Sequence, residues 1–135
     1  MMRRGERGQV LMESVFAFSI LMMVSLAMIE VSRAVLTWQA VAAAAHAGAR
    51  RGAVLGTDAG FTMLEADAVI RSHVRSGHAA GLDERTLQLE TEWPDGSNEP
   101  GMTVRVTVRQ PFGAALPWMP VPHQFASTAD LRILR

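Results

Sequence analysis

Residues 14–29 read SVFAFSILMMVSLAMI. No charged side chain interrupts them, and bulky aliphatic, Met and Phe residues fall on every side of a helical wheel. A helix that is apolar all round belongs in lipid or in a core of packed helices, not on the surface of a soluble domain. At ~1.5 Å per residue the stretch covers roughly 24 Å, somewhat under the ~30 Å hydrocarbon layer of a bilayer. Glu30 and Arg33 follow, three apart on one helical face, where they partly neutralise each other. Val31, Ala34, Val35 and Leu36 then keep the segment apolar, and Trp38 suits a membrane interface. The reading is a span of about 15–35, with Glu30 and Arg33 as a membrane-interface pair. Arg3, Arg4 and Arg7 lie just before it, which predicts a cytoplasmic N-terminus and an exported remainder. Arg50 and Arg51 oppose that orientation only weakly.

The rest of the composition narrows the class. At 135 residues the chain is about one domain long. Thirteen basic residues, all Arg, balance 13 acidic ones, so the formal charge is zero. That excludes the basic excess of a nucleic-acid binder. With no Cys there is no disulfide, thiolate catalysis or Cys-based zinc site. An apolar content of 49% against 19% charged residues excludes a disordered chain.

Three readings of the N-terminus compete. A signal peptide removed after the apolar run would need a small-residue site, and Ala45-His46-Ala47 lies too far past Ile29, beyond Glu30 and Arg33. An uncleaved anchor fits the hydropathy. The third reading rests on Gly8, which ends the basic leader, and Glu13, the fifth residue after it. This resembles the prepilin signal, in which a membrane peptidase cuts after the glycine and before the hydrophobic segment. Gly8 and Gln9 would flank the cut, and Gln9 would become the new amino terminus. An isolated carboxylate near hydrocarbon costs several kcal/mol unless paired. Glu13 would find its partner in the free amine of Gln9, on a neighbouring subunit or on its own helix. Otherwise it sits among lipid headgroups.

Three longer pieces extend the likeness: RGERGQVLMES at 4–14, MIEVSRAVLTWQAVAAAAHAGARRGAV at 28–54, and VRVTVRQPFGAALPWMPVPHQFASTADLRIL at 104–134. Together they resemble the TadE-like family, pseudopilins of tight-adherence (Flp, type IVc) pilus systems. The matching features are Glu13 after the glycine, Glu30 with Arg33 and Ala34, Gly48-Ala49-Arg50, and a proline-rich bridge between two late strands. The resemblance covers nearly everything except about residues 57–98. It implies a prepilin-peptidase substrate with one inner-membrane helix and a small periplasmic α+β domain, type IV pilin-like. It also implies a minor pilin without catalytic activity that acts in pilus initiation, assembly and surface adherence. Its partners would be the peptidase, other pseudopilins, the major Flp pilin, the assembly platform and the lipid bilayer. The rival reading is an uncleaved single-pass inner-membrane protein whose exported domain binds an envelope partner or ligand.

The remaining sequence predicts that domain. After a leader of residues 1–8, the hydrophobic helix is expected over 9–55, prolonged by Ala, the best helix former. Ala40, Ala44, Gly48 and Gly52 recur every four residues, a smooth stripe that lets another helix approach closely. Gly56 to Gly60 reads as an exit loop into an exported α+β domain, 56–135. Thr62-Met63-Leu64-Glu65 is a capping box, and Gly77 a stop, for a second, shorter helix over about 63–76 with Ala66, Val69, Ile70, His73 and Val74 on its apolar face. The period then changes to two. Leu87, Leu89, Thr91 and Trp93 alternate with polar residues, as do Met102, Val104, Val106 and Val108, around the turn-rich PDGSNEPG. Glu on one strand and Arg on the other are the expected cross-strand partners. After the bridge holding Pro111, Pro117, Pro120 and Pro122, a last strand over about 125–134 completes a small antiparallel sheet of about three strands.

No active site is legible. His46, His73, His78 and His123 form no ligand motif, and Asp95, Ser97, Asn98 and Glu99 lack the spacing of a calcium loop. Ser14 and Ser19 are expected to bond back to helix carbonyls. Neither a nucleophile elbow nor a phosphate-binding loop appears. The expectation is a protein that is not an enzyme, with no metal, no cofactor and no small-molecule substrate.

Overall fold

The computed structural model describes residues 4–77, 79 and 81–134, with side chains from Gly8 onward. Arg3 and the side chains of Arg4 and Arg7, on which the orientation expectation rests, lie outside that description, as does His78. The fold is α+β. Helix α1 spans Arg4–Gly52, a 3-10 turn covers Thr57–Ala59, and α2 spans Met63–Gly77. Strands β1 (Gln88–Glu92), β2 (Thr103–Pro111) and β3 (Gln124–Arg132) follow.

Helix α1 is one uninterrupted element of 49 residues, so Gly8 lies inside it rather than at its start. Within it, Gly8–Gly52 is long and apolar enough to cross a membrane, which is consistent with a single-pass membrane protein. It ends where Gly52 gives way to turns, and Gly60, at φ 82°, closes the exit loop in the left-handed region that glycine adopts without strain. Helix α2 starts at the anticipated capping box: the backbone N–H and hydroxyl of Thr62 donate to Glu65 Oε2 at 2.9 and 2.7 Å, and the Glu65 N–H donates to Thr62 Oγ1 at 3.3 Å. Its buried face is Ala66, Ile70 and Val74.

The sheet is antiparallel in the order β1-β2-β3. Its register sets Leu89 opposite Val108, and Val106 opposite Thr91 on one side and Ala129 on the other. One face therefore carries Leu89, Val104, Val106, Val108 and Ala129 into the core. The other face holds the polar ladder: Arg109 meets Glu90 at 2.8 Å, and Arg105 donates to both oxygens of Asp130 at 2.9 and 3.0 Å. Against the apolar face lie the second half of α1 and, beside it, α2. Val41, Ala44, Ala45, Ala49, Ile70 and Val74 close the core from the helical side.

Candidate functional site

Two features of α1 stand out: a half without any cover, and the place where cover begins. From Gly8 to Ile29 nearly every side chain is exposed, including Leu11, Met12, Val15, Phe18 and Leu21, with Phe16 at 70%. Gly8 has open space around it, and Gln9 and Glu13 are exposed on the same bare stretch. The hydroxyls of Ser14 and Ser19 donate to the carbonyls of Val10 and Val15 at 2.8 Å, as expected, and those of Ser25 and Ser32 do the same to Leu21 and Met28. Each hydroxyl is satisfied within its own helix, so the half presents an almost unbroken hydrocarbon surface.

Although Val31, Val35, Leu36 and Trp38 beyond it are still exposed, the first buried residue of the described stem is Glu30, which is 2% exposed. Its Oε2 accepts from Arg33 Nη1 at 2.8 Å, the pairing that the spacing anticipated. Its Oε1 accepts the backbone N–H of Ala115, also at 2.8 Å. That second contact reaches 85 residues along the chain, and no signal in the sequence announced it. The Arg33 guanidinium lies over the Phe112 ring, 5.5 Å from its centroid, and Phe112 meets Phe125 edge to face at 5.3 Å. A buried carboxylate needs such partners, because an unpaired charge out of water is strongly disfavoured. The pair expected at the membrane interface is thus also a clasp that fastens the proline-rich connection to the stem. The domain first touches the helix at Glu30, within the expected span of 15–35, and leaves Val31, Val35 and Leu36 exposed.

Further along, the small-residue stripe is buried within the chain's own fold. A Cβ at Gly48 would lie 2.9 Å from Val106 Cγ1 and 3.2 Å from Val74 Cγ2. One at Gly52 would lie 3.0 Å from both Ile70 Cδ1 and Val104 Cγ2. Ala44 is fully buried and Ala40 half-buried on the same line. The close approach comes from α2 and β2 together, where the spacing pointed to a helix alone.

Residues 8–50 match the family model for TadE-like protein. The stem of this chain is TadE-like. The match takes in Gly8, Glu13, Glu30, Arg33 and Gly48 and stops before the second helix, so the TadE-like stem carries the likeness and the sheet lies beyond it. It supports a protein associated with a tight-adherence pilus. No curated protein and no solved structure matches the chain.

Residues 95–99 serve the fold beyond the stem. Asp95 Oδ2 accepts the Thr103 N–H at 2.7 Å, and Ser97 Oγ accepts that of Glu99 at 3.2 Å. Asn98 is buried and donates to the carbonyl of Phe61 at 2.9 Å. Among the described residues no three His, Asp or Glu side chains gather as a metal site.

Proposed function

We propose that the protein is a minor pseudopilin of a tight-adherence (Flp, type IVc) pilus, acting in initiation and assembly of the fibre and through it in surface adherence. The observation that carries this reading is the TadE-like match across a stem whose first half is bare hydrocarbon and bears Gly8 and Glu13. Prepilin peptidase would cut between Gly8 and Gln9. The stretch from Gln9 to Ile29 would then cross the inner membrane, about 32 Å of helix against a hydrocarbon layer of ~30 Å. This span sits nearer the N-terminus than 15–35, because Glu30 is already buried and bonded to the Ala115 N–H of the domain. The N-terminus would face the cytoplasm and the α+β domain the periplasm. Glu13, in an apolar setting, would take the freed amine of Gln9 on a neighbouring subunit and so help set the stagger between stems. Other pseudopilins, the major Flp pilin and the assembly platform are the partners, and the role is non-catalytic.

Terminal sequencing of the protein extracted from membranes tests the reading. Gln9 as the first residue supports it. An intact Met1 overturns it in favour of an uncleaved inner-membrane protein whose exported domain binds an envelope partner. With Glu13→Ala, membrane insertion should persist while pilus number on the cell surface drops sharply.

A further inference from the structure

The β2–β3 connection, residues 112–123, forms the apolar surface that the TadE-like stem does not account for. It lies at one particular end of the domain. Helix α1 and β2 run antiparallel, with Gly52 beside Val104, Gly48 beside Val106 and Arg33 beside Phe112. The connection is therefore at the edge of the sheet nearest the bare half of the stem. The bond from Ala115 N–H to Glu30 holds it level with the first buried residue of the described stem.

Its chemistry differs from that of the opposite end. From Gln110 to Ala129 there is no Asp, Glu, Lys or Arg. Trp118 is 57% exposed, with Leu116 and Met119 half-buried beside it. Pro111, Pro117, Pro120 and Pro122 have no N–H to leave unpaired, and Phe112, Ala115, Met119 and Val121 give theirs to protein acceptors. Such a backbone costs less to bring into a water-poor layer than an ordinary loop does. The far end of the domain carries Arg50, Arg51, Asp58, Asp95 and Glu99, and at the near end the charges sit on a separate loop, Asp83, Glu84 and Arg85, beside Gln110 through Thr86. An exposed Trp on an uncharged loop at the boundary of a membrane span is the arrangement that interfacial aromatic belts favour.

We propose that this connection is a second membrane contact: it rests in the headgroup layer of the leaflet facing the exported domain, with Trp118 as its anchor and Leu116 and Met119 beside it. The occupant is a lipid surface. The clasp at Glu30 sets the depth, and the domain is seated on the bilayer rather than held above it. This rests on the stem being a membrane span, and the test separates the two.

The chain has no Cys, so single nitroxide labels go in cleanly. Full-length Pro117→Cys and Met119→Cys, labelled and reconstituted in vesicles of phosphatidylethanolamine and phosphatidylglycerol, are compared with Leu21→Cys in the bare half and Leu64→Cys at the far end of the domain. The readout is the ratio of collisions with oxygen to collisions with a water-soluble nickel chelate. The expected ratio at 117 and 119 is several-fold above that at 64 and below that at 21. A high ratio at 21 with 117 and 119 equal to 64 overturns the lipid contact and leaves the membrane span standing. Equal, water-like ratios at all four positions overturn both.

Discussion

The two halves of α1 share one helix, yet one is bare and the other turns a buried face, with Glu30, Val41, Ala44, Ala45, Gly48 and Gly52, to the domain. They differ in side-chain size. The bare half is built of Val, Leu, Ile, Met and Phe, whereas the face that the domain covers narrows to Ala and Gly at 40, 44, 45, 48, 49 and 52, and the bulky Val31, Val35, Leu36 and Trp38 stay exposed. Small residues bring backbones close enough for Val and Ile from a neighbouring element to fill the space, and the gain is dispersion contact that lipid tails would not match. Bulk on all sides suits a fluid surround with no fixed shape to fit. In this chain apolarity alone does not tell the bare surface from the packed one; side-chain bulk is the better guide.

Substitutions can break that contrast at graded cost. Ile70→Ala, at a fully buried side chain facing both Gly48 and Gly52, should lower the stability of the folded domain by about 2–5 kcal/mol. Leu21→Ala in the bare half should leave the same thermal midpoint, followed by near-UV circular dichroism in detergent, nearly unchanged. Gly48→Ala places a methyl 2.9 Å from Val106 Cγ1, and the overpacking should cost about 1–3 kcal/mol by the same measurement. A null effect would mean that the close approach at the stripe is looser than described. Glu30→Ala strips the Ala115 N–H and Arg33 of their acceptor and should cost about 1–3 kcal/mol, with Glu30→Gln milder because an amide oxygen still accepts.

The smallest effect is electrostatic and lies at exposed side chains of the domain. The Thr62 backbone N–H, then its hydroxyl, hold the Glu65 carboxyl below its ordinary value, and the Arg105 hydrogen bond does the same for Asp130. Both groups therefore stabilise the fold above the ordinary carboxylate range, near pH 4, and that contribution fades as pH falls through their lower folded values. A melting series from pH 6 downward should show a shallow decline, flattened in Glu65→Gln with Asp130→Asn.

Much of this architecture was legible because local chemistry repeats. Alternation at Val104, Val106 and Val108 marked a half-buried strand, and the Glu and Arg of the opposite face anticipated the β1–β2 pairing. Thr62 and Glu65 marked a helix start from their spacing alone. What stayed hidden was long-range and unpatterned. Glu30 and Arg33 advertise each other at three residues apart, but the Ala115 N–H belongs to any residue type and lies in a stretch with no period. The stripe at 40–52 announced close packing without naming the neighbour, since small residues admit a strand as readily as a helix.

Between Gln9 and Ala47 the stem contains neither proline nor glycine, the usual sites of a sharp bend. It is one unbroken helix, about 50 Å from Glu13 to Gly48, whose far end is keyed into the sheet. Torque or thrust applied to the membrane end reaches Val106 without a joint to absorb it. Any machine that grips the greasy end therefore turns and lifts the whole domain as one solid piece.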